Sequence, residues 1–168
     1  MRRRPRLTRA RLRELLDYNN KTGEFRWRKR SGNNASLDRS ADHVPGQGRV
    51  FISIDRRLYP AHQLAWFYMT GRWGRPTIDH RDGDATNNRW KNLRRATASQ
   101  NNANRRRPRH NTSGYKGVSF RRDSGKWSAT IGRDGKIIHL GIFATPQEAH
   151  EVYVKAARKL FGEFARAE

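Results

Sequence analysis

Between Asn104 and Ser113 the chain carries four arginines, one proline and no apolar side chain. Such a stretch cannot enter a core, because guanidinium groups are not buried without partners. The 168 residues are therefore expected to build two small cores, one on each side of it. With 34% hydrophobic residues neither core can be large, yet five Trp, five Tyr and seven Phe spread along the chain argue against disorder. The formal net charge is +22, from 37 Lys and Arg against 15 Asp and Glu. The basic residues lie within patterned segments, so the expected partner is a polyanion, with nucleic acid ahead of a membrane surface or an acidic protein. There is no cysteine, which excludes a disulfide framework and Cys-ligated zinc. No run approaches the roughly 20 apolar residues of a membrane helix. The start, Met1-Arg2-Arg3-Arg4-Pro5-Arg6, lacks the apolar segment of a secretory signal. The expectation is a soluble intracellular chain whose basic start is either an arm on DNA or a solvated terminus.

The patterning predicts an α+β chain. Thr8 can cap a helix to about Asp17, with Leu12, Leu15 and Leu16 on one face. Residues 19–23 turn into a strand over 24–28, and residues 29–48 read as a loop. Residues 50–54 and 57–59 flank Asp55-Arg56 as a hairpin, and Pro60 opens a helix over 61–69 that Gly71 closes. Next come a strand ending at Asp79-His80, a long loop, a strand over 93–96 and a helix from about Thr97. Beyond Ser113, three strand-like runs are separated by Asp123-Ser124-Gly125 and Arg133-Asp134-Gly135, both with hairpin-turn chemistry. Thr145-Pro146-Gln147-Glu148 then opens a helix with Ala149, Val152, Tyr153, Ala156 and Leu160 on one side, ended by Gly162. That half reads as a small three-stranded antiparallel sheet packed on one helix, and it does not repeat the first half.

The run from Ile78 to Asn101 concentrates the chemistry. It brings a carboxylate (Asp79), a histidine (His80) and two asparagines (Asn92 and Asn101) into one compact unit. Carboxylate and amide oxygens are hard donors that suit Mg²⁺, and an imidazole can take a proton from water near neutral pH. Phosphodiester hydrolysis needs an activated water, charge stabilisation at phosphorus and help for the leaving oxygen. His80 is then the candidate general base. Asp79, on the other side of the strand, is open to a metal, Asn101 can close that site from the helix, and the Asn92 amide can tie loop backbone together. Taken singly, an Asp-His pair is more often a surface turn and Asn-rich segments are usually turns. Asp82-Gly83-Asp84 does not complete a calcium loop, because its glycine is misplaced and no Glu follows. His62 reads either as a packed or capping residue at a helix start or as a phosphate contact.

With these residues in this order, residues 78–104 resemble the ββα-metal (His-Me finger) core of the HNH endonuclease family. An Asp-His doublet, an Asn before a Leu, and an Asn or His on the following helix recur there. Upstream, Leu15-Leu16-Asp17-Tyr18, Thr22-Gly23-Glu24-Phe25-Arg26-Trp27 and Ala61-His62-Gln63-Leu64-Ala65-Trp66 are similar to phage and prophage HNH proteins. The resemblance implies that His80 is the general base, that Asp79 and Asn101 hold a single Mg²⁺ (Mn²⁺ as a substitute, no zinc), and that Asn92 braces the loop. Asn102 and Asn104 are the competing positions for Asn101.

Residues 113–164 resemble the plant ethylene-response-factor (Apetala-type) DNA-binding domain. Tyr115-Lys116-Gly117-Val118, the run 125–131, Leu140-Gly141-Ile142-Phe143, Thr145-Pro146-Gln147-Glu148-Ala149 and the run 153–157 carry the likeness. Such domains lay a sheet into the major groove. Ser119 and Gly132 stand where plant domains usually carry Arg, and His139 where they carry Trp, so the plant target is not carried over. Lys116, Arg121, Arg122, Lys126, Arg133 and Lys136 are the expected DNA-facing set, joined by Arg105, Arg106 and Arg107. Trp127 is either a stacking residue or the anchor of the sheet.

Together these readings give a nuclease domain over 1–104 with its ββα-metal core at about 76–104 and an N-terminal α/β elaboration. A basic linker over 105–112 and a DNA-binding domain over 113–168 follow. The expected activity is metal-dependent cleavage of double-stranded DNA by a monomer or homodimer, without a small-molecule cofactor or a membrane. A phage homing endonuclease acting in a bacterial cytoplasm is the expected setting. The alternative is a catalytically inert DNA-binding regulator or architectural protein.

Overall fold

Thr8 starts the first helix as its sequence position predicts: its side chain accepts the Arg11 N–H, and α1 runs Arg9–Leu15. A computed structural model describes residues 7–28, 48–108 and 110–167. The basic start, and all of the loop expected over 29–48 except Gly48, lie outside the described residues. Helix α1 ends earlier than expected. Leu16–Tyr18 forms a short strand, β1, with Leu16 and Tyr18 buried and Asp17 exposed. It pairs antiparallel with β2, Phe25–Trp27. Leu15-Leu16 fits both a helical stripe and the first position of an alternating strand, and the Tyr18–Phe25 pairing decides for the strand.

The hairpin expected around Asp55-Arg56 is present as β3, Phe51–Ile54, and β4, Arg57–Pro60. Asp55 and Arg56 both adopt positive φ, 49° and 62°, which suits the right-handed twist of the two strands. Helix α2, Ala61–Thr70, follows directly and ends at Gly71, whose φ of 73° is left-handed. Leu12, Leu16, Phe25, Ile52, Ile54 and Leu64 are fully buried and make the centre of the first core. Strand β5, Thr77–His80, pairs with β6, Leu93–Ala96. A single turn of 3₁₀ helix at Trp90–Asn92 leads into β6, and α3, Ala98–Asn104, begins after a capping box formed by Thr97 and Gln100.

The chain divides into two compact units, Met1–Arg95 and Ala96–Glu168. This division falls earlier than the arginine-rich linker expected over 105–112. The reason is local: Ala103 of α3 belongs to the core of the second unit, with Ile131, Tyr153, Ala157, Phe161 and Phe164. Side chains are most polar over 105–112. The helix just before that stretch nevertheless packs onward.

In the second unit, β7 (Val118–Arg121), β8 (Lys126–Arg133) and β9 (Lys136–Phe143) form one antiparallel sheet in that order. Helix α4, Pro146–Phe161, is capped by Thr145 and packs through Ala149, Tyr153, Ala157 and Phe161. Gly117 is forced by the approach of α4: at its φ of +74° a Cβ would lie 2.2 Å from the Tyr153 ring.

The register sorts the side chains of the sheet. Phe120 faces Trp127, Val118 faces Ala129 and Ile131 faces Ile138, on the side that carries the core. Trp127 is half-buried, 5.0 Å from the Phe120 ring, and packs against the Val118–Ala129–Ala149 cluster. Ser119, Arg121, Lys126, Ser128, Thr130, His139 and Ile142 alternate onto the other face.

Lys116, expected to face DNA, is instead buried. Its Nζ donates to three backbone carbonyls, of Ala103, Arg105 and Arg166, at 2.5, 2.6 and 3.1 Å. Burial, with the nearby Arg166 charge, lowers its ammonium to about 8, which leaves it charged at neutral pH. No helix among the described residues is long and apolar enough to cross a membrane.

Candidate active site

Strand β5 is buried through its last three residues, Ile78, Asp79 and His80. His80 sits at the strand end, where the backbone leaves the sheet and its imidazole faces the 81–92 loop. Its Nε2 lies 3.1 Å from Oδ1 of Asn88, itself buried. Asn88 is held in turn: its amide donates to the Thr86 carbonyl (3.2 Å), and its own carbonyl accepts the Tyr18 hydroxyl (2.7 Å). Gly23 lets this loop approach the N-terminal turn, since a Cβ there would lie 2.5 Å from the Arg89 nitrogen. Trp90 completes the attachment by donating its N–H to the Asn20 carbonyl. The N-terminal elaboration thus braces the loop that orients His80.

Asn92 is the hub of that loop. Its side-chain amide donates to Asp82 Oδ1 (2.9 Å) and to the Asn87 carbonyl (2.7 Å), while its side-chain oxygen accepts the Asp82 N–H (3.1 Å). Its backbone carbonyl accepts the Arg81 N–H. Burial alone would push Asp82 up. The Asp84 N–H and the Asn92 and Asn87 amides outweigh it and hold the carboxylate below its ordinary range, so it is ionised at neutral pH. A buried Asn can satisfy this many partners at once because it carries both donors and an acceptor.

Asp79 differs from the expectation that it is open to a metal. It is 4% exposed, and its Oδ2 accepts from Nε of Arg94, 6% exposed, at 2.9 Å. We expect Arg94→Met to cost about 3–5 kcal/mol of folding stability, because it strands a buried carboxylate. Asp79→Asn on top of it should recover much of the loss, as read by urea denaturation of both variants. A loss within the roughly 0–1 kcal/mol of an exposed pair would contradict this account of Asp79.

His62, at the start of α2, places its ring edge-on to that of His80, with centroids 5.2 Å apart. Burial, with the nearby charges of His80 and Arg49, lowers its imidazole to about 3, so it packs against His80 as a neutral ring. Asn101 lies on α3 and is half-buried, Asn102 is exposed and Asn104 is buried. Arg105, Arg106, Arg107, Arg121, Arg122, Lys126, Arg133 and Lys136 are all exposed. Arg121 is engaged by Asp123, and Arg133 lies 3.4 Å from Asp134. Among the described residues no group of three His, Cys, Asp or Glu side chains is placed to hold a metal ion. Asn88 and Arg94 do not stand out in the sequence. Nothing in the local pattern separates Asn88 from Asn87, or Arg94 from Arg95.

Residues 59–103 match a family described as HNH endonuclease. Over 89 residues the chain is 35% identical to Protein 3.8 of Escherichia phage T7, covering 53% of this chain and 73% of that protein. The chain belongs to the HNH endonuclease family. The family match takes in α2, the Asp79-His80 doublet, the Asn92 loop and α3 as far as Ala103. Over 58 residues the chain is 43% identical to APETALA2-like protein 2 of Oryza sativa subsp. indica and, equally, to AP2-like ethylene-responsive transcription factor TOE2 of Arabidopsis thaliana. The matched stretch makes up 34% of this HNH protein and spans only 13% and 12% of those plant proteins. No solved structure matches the chain.

Proposed function

We propose that this HNH-family protein is a metal-dependent DNA endonuclease in which His80 is the general base. The observation that carries the reading is the setting of His80: buried at a strand end, bonded to a fixed Asn88, and facing a loop locked by Asn92. A rigidly held imidazole can take the proton of an attacking water only if its orientation is preset. Water then adds to phosphorus, the P–O3′ bond breaks, and the products are a 5′-phosphate and a 3′-hydroxyl. One such core cuts one strand at a time, so cutting both strands needs a second copy or a second visit.

Asp79 and Asn101 are the residues that the family pattern gives to a divalent cation. Their oxygens are hard donors, and a carboxylate has acceptor sites enough for both a guanidinium and a cation. Mg²⁺ usually takes one or two carboxylates and completes its shell with water and phosphate oxygens, so a site with few protein ligands fits Mg²⁺ better than Zn²⁺. When bound, such an ion supplies charge stabilisation at the scissile phosphate. The ββα-metal reading of residues 76–104 is part of the same proposal.

The second unit is proposed to hold the protein on duplex DNA. The support is the free face of its sheet, where Arg121 and Lys126 flank small polar side chains and an exposed Ile142. Apolar and small polar groups with a basic rim suit base edges and phosphates. A phage homing role remains part of this proposal through the phage relative. The competing reading, a DNA-binding protein that does not cut, draws on one observation: the Asp79 carboxylate is already engaged by Arg94. Nicking of supercoiled plasmid separates the two. The expected result is open circles with Mg²⁺, none with EDTA, and recovery when Mg²⁺ is restored; intact supercoils under every condition would contradict cleavage.

A further inference from the structure

We infer that the second unit positions the nuclease helix, with Lys116 as the positioning residue that acts on Asn101 through α3. The inference rests on the proposed role of Asn101, and it starts from the size of that helix. Helix α3 has seven residues, too few to be stable on its own, since isolated helices shorter than about 12–15 residues are marginal in water. Its order has to come from what it packs on, and all of the following contacts lie within the second unit.

Near its start, Ser99 Oγ donates to Asp134 Oδ1 at 3.0 Å and accepts the Asp134 N–H at 2.7 Å. Asp134 sits in the β8–β9 turn at a positive φ of 51°, so its position is set by the hairpin. In its last turn, Ala103 packs into the cluster of Ile131, Tyr153, Ala157, Phe161 and Phe164. At the end, the last carbonyls of a helix have no partner of their own. Here the Ala103 carbonyl accepts from both Lys116 Nζ and the Arg166 N–H, and the Arg105 carbonyl accepts from Lys116 Nζ. A cation at a helix C-terminus is also favoured by the helix dipole. The third Lys116 bond, to the Arg166 carbonyl, ties the same point to the segment that follows α4. One buried ammonium therefore joins the end of α3, the start of the sheet and the tail of the chain. DNA affinity and placement of Asn101 become properties of one folded unit rather than of two separable modules.

The test uses the full chain, with Lys116→Met, Ser99→Ala and, as a charge control, Lys155→Met on the exposed face of α4. Three quantities are read: the Mg²⁺ concentration for half-maximal plasmid nicking, DNA affinity in EDTA, and hydrogen-exchange protection of the α3 and β8 amides. The expected result for Lys116→Met is a roughly 10–100-fold rise in the Mg²⁺ midpoint, the range seen when support of a metal ligand is removed. Protection should fall in α3 and persist in β8, with DNA affinity matching the Lys155→Met control. Ser99→Ala, which removes only two exposed bonds, should shift the midpoint in the same direction by less. The inference is overturned if Lys116→Met weakens DNA binding and leaves the midpoint and α3 protection unchanged, which would make Lys116 a DNA contact. It is also overturned if Ser99→Ala has no effect while Lys116→Met loses α3 and β8 protection together, which would make Lys116 only a stability residue. A wild-type chain that never nicks DNA sinks the nuclease reading instead, and α3 protection then still reports whether Lys116 anchors the helix.

Discussion

His80→Ala lowers DNA cleavage by about 10²–10⁴-fold, the loss typical of a missing general base, and leaves DNA affinity at the wild-type value. The two effects separate because His80 is 8% exposed at the end of β5 and is not one of the basic side chains proposed to meet phosphates. A substitution that emptied a purely structural position would instead lower stability, and cleavage would fall only with the folded fraction. Cleavage measured at saturating protein, with a melting curve on the same sample, distinguishes the two. Unchanged cleavage by a folded His80→Ala chain would remove His80 from the mechanism.

DNA binding falls by about 10³–10⁵-fold between 50 and 200 mM salt if some 6–10 phosphates are neutralised, because each contact releases condensed counterions. The chain has the means: a formal charge of +22, with Arg105, Arg106, Arg107, Arg122, Lys126 and Lys136 all exposed. Arg121 and Arg133 now bond to Asp123 and Asp134, but exposed ion pairs of this kind are weak and exchange readily for phosphate. Lys116 is excluded from the count by its burial. The titration is done in EDTA on a labelled duplex, so that cleavage does not distort the affinity. A flat response to salt would mean that the charge excess is solvated and that DNA is held some other way.

The parts of the fold legible in the sequence are those decided within a few residues. The Asp55-Arg56 turn, the Gly71 helix end, the Thr97 and Thr145 caps and the two hairpin turns that separate β7, β8 and β9 each follow from local chemistry, and each is present. Leu16 and Asp17 read as helix because two adjacent leucines satisfy both periods, and only the distant β2 strand resolves them. Likewise, the Asp79-His80 doublet and Asn92 stand out as residue types, whereas their partners Arg94 and Asn88 do not. Lys116 fails for the same reason at longer range. Whether a lysine meets a phosphate or three carbonyls depends on Ala103, Arg105 and Arg166 reaching one point, and no window of sequence around Lys116 contains all three. For Trp127 the register puts its ring opposite Phe120, a partner on the neighbouring strand.

The most direct test of the central claim is plasmid nicking by the wild-type and His80→Ala chains at matched DNA occupancy, in Mg²⁺ and in EDTA, with occupancy measured on the same samples. The account predicts open circles only for the wild-type chain and only with Mg²⁺, while both chains bind equally. Equal nicking by both chains, or full binding by both with no nicking by either, would contradict it.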